Sequence, residues 1–182
     1  MVKKIIITGG TYSGKTTVLK LLEKRGFETI PEAAMQIIEE NVTKVGQKEH
    51  QEEIRSDFKK FALLFMKRQE KLESNIKSDN IVFLERGFVD FVALCKLMKI
   101  DVPKQIQEKA KKVVYDKVFL LENLPDFDKR EGTGRISDKD FAINMREELK
   151  KAYNEFGYEY VCVPLIDVEK RVDLILKELN LI

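Results

Sequence analysis

The stretch Gly9-Gly10-Thr11-Tyr12-Ser13-Gly14-Lys15-Thr16 decides the fold of this chain of 182 residues. It has the spacing G-x-x-x-x-G-K-[ST], follows the apolar run Ile5-Ile6-Ile7 and precedes a segment with helical spacing. Glycines let the backbone turn tightly and direct its N–H groups into a concavity that fits a phosphate. The helix that begins near Lys15 adds unpaired N–H groups and the positive end of its dipole. The sequence therefore predicts a strand, a phosphate loop and a helix that together bind a nucleoside triphosphate.

Two residues at the end of this loop have expected chemical parts. The Lys15 ammonium can reach the outer phosphates of ATP, and the Thr16 hydroxyl can ligate Mg²⁺. We therefore expect ATP and Mg²⁺ as cofactors. An ordinary glycine-rich turn is the alternative, and it does not require a lysine and a threonine in this register. The residues expected to bind the nucleotide are Gly9, Gly10, Thr11, Tyr12, Ser13, Gly14, Lys15, Thr16 and Thr17.

The composition indicates a water-soluble chain without a strong charge bias. It is 43% hydrophobic and 35% charged, with a net charge of +2, which gives no general argument for nucleic-acid or membrane binding. No apolar stretch approaches the roughly 20 residues that a membrane span needs, and no signal peptide is recognisable. Cys95 and Cys162 lie in apolar segments, which predicts buried free thiols in a reducing compartment. We expect a cytoplasmic protein.

The apolar pattern alternates between short continuous runs and longer periodic segments. This is typical of an α/β fold with a parallel sheet, helices on both faces and right-handed crossovers. We expect one domain over residues 1–182, with a surface loop at 42–48. The predicted strands cover 4–8, 27–30, 81–84, 117–121 and 158–163. The predicted helices cover about 15–24, 32–41, 49–77, 89–99, 102–114, a segment ending near 156, and 167–179.

Polar residues at the ends of the predicted strands mark the expected site, because ligands of such sheets bind beyond the C-terminal strand ends. Glu85 and Arg86 follow the most apolar strand. The Glu85 carboxylate can hold Mg²⁺ or accept a proton, and the planar Arg86 guanidinium can clamp a phosphate. A salt bridge at a strand end is the structural alternative for this pair. Glu122 follows the fourth strand in the same way.

Glu32 and a charged loop complete the list of candidates. Glu32 lies where a general base for an acceptor hydroxyl could act, or it is an acidic residue that favours the helix dipole. Residues of about 122–137 are expected to form a lid, in which Arg135, and also Arg130, would neutralise charge on the triphosphate. The candidate catalytic residues are Lys15, Glu32, Arg86 and Arg135, and the candidate metal ligands are Thr16 and Glu85.

Two further polar residues, Asp90 and Gln69, have more than one interpretation. Asp90 either faces the same cavity as Arg86 or caps the next helix. Gln69 lies on the apolar stripe of the 49–77 helix and either reads a base edge or flanks the core. His50 is the only histidine and has no visible partner, so histidine catalysis has no support.

With these residues in view, the chain resembles the small AAA-type predicted ATPases related to the ribosylnicotinamide kinase domain of NadR, which are close to nucleoside and nucleotide kinases. The resemblance runs through 6–17, 27–40, Glu85-Arg86-Gly87 with Asp90, Gly134-Arg135 and 153–164. It implies a P-loop NTPase with a five-stranded sheet ordered 2-3-1-4-5 and a lid after the fourth strand. Glu85 replaces the usual aspartate of the group, and Met35 replaces a usual arginine.

We consider three functions. The first is a kinase that moves the γ-phosphoryl group of ATP to a small nucleoside-like or nucleotide-like acceptor, with the 49–77 helix lining the acceptor pocket. The second is a regulatory ATPase that acts through a protein partner. The third is a nucleic-acid end kinase, which no basic stripe with interleaved aromatics supports. Glu85 is followed by arginine rather than by a second acidic residue, which favours the kinase over ring-forming ATPases.

Overall fold

The fold is described here from a computed structural model, which covers residues 2–46, 49, 52, 56–77, 79–124 and 139–182 of the chain. Most of the expected lid lies outside these ranges, as do His50, Lys129, Arg130 and Arg135. The roles expected for those residues stay predictions. The expectation of one domain over 1–182 also stays a prediction.

Five parallel strands form one sheet in the order β2-β3-β1-β4-β5, as expected. The central strand β1 pairs with β3 on one side and with β4 on the other. Its continuous apolar run is buried on both faces, as is typical of parallel sheets. The strands are β1 Lys3–Gly9, β2 Glu28–Ile30, β3 Ile81–Glu85, β4 Lys117–Leu121 and β5 Tyr160–Val163.

The described residues form seven helices that connect and flank these strands. They are α1 Lys15–Lys24, α2 Ala33–Val45, α3 Phe58–Ser74, α4 Phe88–Leu97, α5 Lys104–Lys112, α6 Lys139–Glu155 and α7 Val168–Glu178. The predicted loop at 42–48 is wrong in its first part, because α2 continues to Val45 and ends at Gly46, where φ is 91°. No glycine or proline precedes Gly46 inside α2, so nothing in the sequence stops the helix earlier.

Alternate residues of β1 point into two separate cores. Ile5 and Ile7 pack with α1 and α7 on one face of the sheet. Ile6 packs with residues of the other helices on the opposite face. The phosphate loop leaves the end of β1 between these two layers, so it is held from both sides.

Two further expectations can be compared with the described residues. Cys95 is buried, but Cys162 is exposed, so the prediction that both thiols are buried is wrong for Cys162. Cys162 lies on β5, which is an edge strand of the sheet and is partly exposed. Among the described residues, none of the helices combines the length and the apolar character needed to cross a bilayer.

Candidate active site

The loop between β1 and α1 has the backbone geometry that its glycines predict. Gly9 has a φ of 151°, and a Cβ atom there would lie 2.6 Å from Ser13 Oγ and 2.8 Å from the Leu121 carbonyl oxygen. Gly14 has a φ of 86° and is the N-cap of α1. A side chain at either position would be strained or would clash, so the tight loop depends on these glycines.

The Lys15 side chain is folded into the loop. It is 3% exposed, and its Nζ donates to the Gly10 carbonyl oxygen at 2.9 Å and to Ser13 Oγ at 3.3 Å. Thr11 and Ser13 are buried with it, whereas Thr16 and Thr17 are exposed on the first turn of α1. The ammonium group is thus already at the loop, where a phosphate would replace neutral acceptors.

Thr16 and Glu85 are in direct contact, although they are far apart in the sequence. The Thr16 hydroxyl lies 3.0 Å from both carboxylate oxygens of Glu85. One hydroxyl and one carboxylate are hard oxygen donors, which fit Mg²⁺ when water and phosphate oxygens complete its shell. No cluster of three or more metal-binding side chains is found among the described residues. The donor set therefore fits a magnesium ion shared with phosphates and does not form an all-protein cage.

The Glu85 carboxyl group is electrostatically unfavourable in this position without a bound cation. It is 4% exposed at the end of β3. Burial, followed by the nearby Glu32 carboxylate, raises the pKa of Glu85 above its usual value. Lys15, Arg86 and the Thr16 hydroxyl act in the opposite direction. A bound cation would lower this pKa again.

Arg86 lies between two carboxylates. Its Nε is 3.3 Å from Glu32 Oε1, and its Nη1 is 3.2 Å from Asp90 Oδ1. Burial by itself would lower the pKa of Arg86, but Glu32, Asp90 and Glu85 outweigh it and raise the pKa. The backbone of Arg86 has a φ of 66°, an uncommon conformation for a residue with a side chain. The guanidinium is therefore a permanently charged group fixed from two sides.

Asp90 both caps a helix and faces the site, so the two interpretations of this residue apply together. Its carboxylate accepts from the Gly87 N–H at 3.0 Å, which caps α4, and from the Arg86 guanidinium. It also accepts from the hydroxyls of Thr8 and Tyr153. Since a carboxylate has about four acceptor positions, Asp90 is fully used as an anchor for Arg86.

Gln69 and Glu122 occupy more structural positions. Gln69 is 1% exposed, and its amide donates to Glu73 at 2.9 Å, which supports the interpretation that it flanks the core. Glu122 accepts from the Leu165 N–H at 3.3 Å and from Arg146 at 3.5 Å. It therefore links the end of β4 to the segment after β5 and to α6.

Arg171 of α7 also contacts the phosphate loop, although it is not among the predicted site residues. This side chain is 2% exposed, and its Nη1 donates to the Ser13 carbonyl oxygen of the phosphate loop at 2.8 Å. A signal was present, because Arg171 occupies the apolar stripe that Val172, Ile175 and Leu176 place against the sheet. An arginine at a core-facing helical position is unusual enough to suggest a specific partner.

Comparison with known proteins agrees with this fold and loop. The AAA domain family model matches residues 4–171, so the chain belongs to the AAA domain family. A search of curated protein sequences gives no significant match.

Several solved structures share the architecture at low sequence identity. Deoxyadenosine kinase from M. mycoides with bound dATP has 19% identity and a TM-score of 0.66, over 97% of this chain and 99% of that one. Thymidylate kinase from Candida albicans has 15% identity and a TM-score of 0.59, over 98% of this chain and 91% of that one. NadR in complex with NR has 16% identity and a TM-score of 0.65, over 97% of this chain but 50% of NadR. The expected kinase-like P-loop fold is confirmed.

Proposed function

We propose that this protein is a Mg²⁺-dependent phosphotransferase that moves the γ-phosphoryl group of ATP to a small nucleoside-like or nucleotide-like acceptor. The observation that carries the proposal is the ion cluster of Glu32, Arg86 and Asp90, which lies next to the Thr16–Glu85 contact at the end of the sheet. The phosphate loop would bind the phosphate donor, and the adjacent cluster of Glu32, Arg86 and Asp90 would bind the acceptor.

The donor side is formed by the loop and the start of α1. The amides from Gly9 to Thr17 and the Lys15 ammonium would bind the phosphates of ATP. Thr16 and Glu85 would hold Mg²⁺, which when bound supplies neutralisation of phosphate charge. Arg135, which lies outside the described residues, would add a further positive charge.

On the acceptor side, Glu32 would act as the general base and Arg86 would orient the acceptor. The acceptor oxygen forms a bond to the γ-phosphorus while the bond from that phosphorus to the bridging oxygen of ADP breaks. When the acceptor group is a hydroxyl, its proton passes to the Glu32 carboxylate; when it is a phosphate, the attacking oxygen is already ionised and no proton moves, so atoms and charge balance in both cases. Arg86 can do its part because it is charged at every accessible pH and held in one orientation.

The acceptor class rests on the neighbouring structures and on α2 and α3. Deoxyadenosine kinase, thymidylate kinase and NadR share this fold, which supports a nucleoside-like or nucleotide-like acceptor here. Glu32 precedes α2, and Arg68 of α3 donates to Gln36 and Glu40 of α2, so α3 is linked to the helix that follows Glu32. A cytoplasmic location and a lack of nucleic-acid partners are part of the same proposal.

One observation favours the alternative of a regulatory ATPase. The Glu32 carboxylate pairs with Arg86, so one of its oxygens is already used in an ion pair. In a regulatory ATPase this ion pair would only stabilise the site. ATP would then be hydrolysed slowly, and a protein partner would take the place of the acceptor.

The test measures ADP formation with Mg²⁺ and a panel of nucleosides, nucleotides and ribosylnicotinamide, in wild type, Glu32→Gln and Glu40→Gln. Glu40 is the matched control, since it lies on α2, which Glu32 precedes, and also pairs with an arginine, Arg68, but on the surface. We expect one acceptor to stimulate ADP formation manyfold. Glu32→Gln should reduce that stimulated rate by about 10²- to 10⁴-fold, the range for loss of a general base.

Affinity for ATP should be unchanged in Glu32→Gln, and Glu40→Gln should behave as wild type. Equal slow hydrolysis with every acceptor, and no effect of Glu32→Gln, would contradict the kinase and favour the regulatory ATPase.

A further inference from the structure

Arg171 is a buried cation whose hydrogen bonds are incomplete. Its side chain is 2% exposed, and its Nη1 donates a hydrogen bond to the Ser13 carbonyl oxygen at 2.8 Å. Within the described part of the chain, its Nε and Nη2 are buried without a partner. Burial lowers the pKa of Arg171, and among the described residues the charge of Glu122 acts against this. A group placed at such cost serves a purpose other than packing.

The position of Arg171 identifies that purpose. In a planar trans peptide, a carbonyl and the following N–H point in opposite directions. When Arg171 holds the Ser13 carbonyl on the outside of the loop, it turns the Gly14 N–H to the other side. A guanidinium nitrogen also lies 3.4 Å from the place where a Cβ of Gly14 would be, so the contact is close on this face.

The neighbouring carbonyls are held in the same way. The Leu124 N–H donates to the Tyr12 carbonyl oxygen at 3.3 Å, and the Val18 N–H donates to that of Gly14 at 3.0 Å. Three successive carbonyls of the loop are thus bonded from outside. Their opposed N–H groups belong to Ser13, Gly14 and Lys15, which are the amides expected to receive a phosphate. Of the three outside donors, only Arg171 is a side chain and only Arg171 is charged.

We propose that Arg171 is a positioning residue, which holds the phosphate loop in its anion-binding shape through the Ser13 carbonyl and adds positive charge behind it. The proposal rests on the proposed function only in that the loop binds a polyphosphate. It assigns to α7, at the far end of the chain, a part in nucleotide binding.

The test compares Arg171→Met with Arg25→Met as the matched control. Arg25 also joins α1 to α7, through ion pairs with Glu169 and Asp173, but on the surface and away from the loop. The measurements are the dissociation constants of ATP and of inorganic tripolyphosphate by calorimetry, together with the Tm of each variant. Tripolyphosphate separates the loop from any contact with base or ribose.

We expect Arg171→Met to weaken the binding of both ligands by about ten- to a hundredfold, because the variant loses the charge behind the loop and the bond that directs the Gly14 N–H. Arg25→Met should leave both affinities as in wild type. Unchanged affinities in Arg171→Met with a lower Tm would overturn the proposal and make Arg171 a packing residue. Weaker binding of ATP with unchanged binding of tripolyphosphate would also overturn the proposal, because the loop would then be intact.

If Arg171→Met does not fold, Arg171→Lys replaces it. Lysine keeps the charge but has one compact donor group and cannot reproduce the planar guanidinium. A loss of tripolyphosphate affinity beyond about threefold supports the proposal, since lysine and arginine differ in geometry and not in charge. An unchanged affinity overturns it. Wild type that binds neither ligand would refute the proposed nucleotide site itself, and this is measured before any variant.

Discussion

At the scale of single residues, burial makes the ionised carboxylate of Glu85 unfavourable in the candidate site. Its carboxyl group is buried next to Glu32 and in contact with Thr16. The raised pKa of Glu85 means that its ionised form is less favourable in the folded protein than in the unfolded chain. A magnesium ion would reverse this. If Glu85 holds Mg²⁺ as we propose, the site gives up stability without the cation in order to bind it.

We predict that Glu85→Gln makes the ligand-free protein more stable at neutral pH. A raised folded pKa contributes stability below the unfolded value of about 4.5, and this is lost as the pH rises through the higher folded pKa. The free energy of unfolding should thus fall with rising pH in wild type and fall less in Glu85→Gln. Denaturant titrations between pH 4.5 and neutrality check this, and Mg²⁺-dependent ATP binding should weaken in the same variant.

Glu40→Gln is the control with the opposite sign. Hydrogen bonding to Arg68 lowers the pKa of Glu40, so this exposed carboxylate stabilises the fold when ionised. Its substitution should give no gain at neutral pH. Equal changes in stability for Glu85→Gln and Glu40→Gln would contradict the assigned electrostatic role of Glu85.

The two cysteines give a separate prediction. Burial raises the pKa of the Cys95 thiol to about 12, and Cys95 is inaccessible inside α4, whereas Cys162 is exposed. Since the thiolate is the reactive form, the native protein should react at Cys162 and not at Cys95. A colourimetric thiol reagent should report one fast thiol in native protein and two in denaturant. Two fast thiols in the native state, or none, would contradict this burial pattern.

At the scale of elements, Tyr153 connects α6 with α4. Its buried hydroxyl donates to Asp90, the residue that fixes Arg86, and burial followed by Asp90 raises the pKa of Tyr153 well above 10. The helix that follows the expected lid is thereby joined to the acceptor side of the site. Because the Tyr153 hydroxyl bonds to Asp90, which pairs with Arg86, we infer that Tyr153 is a positioning residue.

We predict that Tyr153→Phe lowers the free energy of unfolding by about 1–3 kcal/mol, because the Asp90 carboxylate loses a buried donor. It should also raise the KM for the acceptor more than the KM for ATP, since Asp90 holds Arg86. Tyr158→Phe is the control, as its half-buried hydroxyl donates to the Val113 carbonyl oxygen. Parallel effects of the two variants on the acceptor KM would contradict the positioning role of Tyr153.

The sequence predicts most elements because their local signals are strong. Strand β4 lies where its apolar run of 117–121 indicates, and Gly157, with a φ of 79°, follows the end of α6. Errors occur at ends, where the signals are weak. The helix α2 extends to Val45 because only Gly46 breaks it, and β5 begins at Tyr160 rather than at 158 because Tyr158 packs against Tyr115 and Tyr153 instead.

At the scale of the whole molecule, the parallel sheet explains which site residues the sequence can predict. The C-terminal ends of β1 and β3 meet at one edge, which brings the phosphate loop next to Glu85 and Arg86, as the strand-end rule requires. This rule does not predict Arg171, because its side chain reaches the phosphate loop from a helix on the face of the sheet. Its approach depends on how α7 packs against α1, a tertiary contact that no local pattern encodes.

The central claim is that the γ-phosphoryl group goes to a small acceptor and not to water. The most direct measurement incubates the protein with Mg²⁺ and ATP labelled in the γ-phosphoryl oxygens with ¹⁸O, together with the acceptor panel, and follows the label by mass spectrometry. We predict labelled phosphate on one nucleoside-like or nucleotide-like acceptor, in an amount equal to that of the ADP formed. Label found only in inorganic phosphate, with every acceptor unchanged, would contradict it.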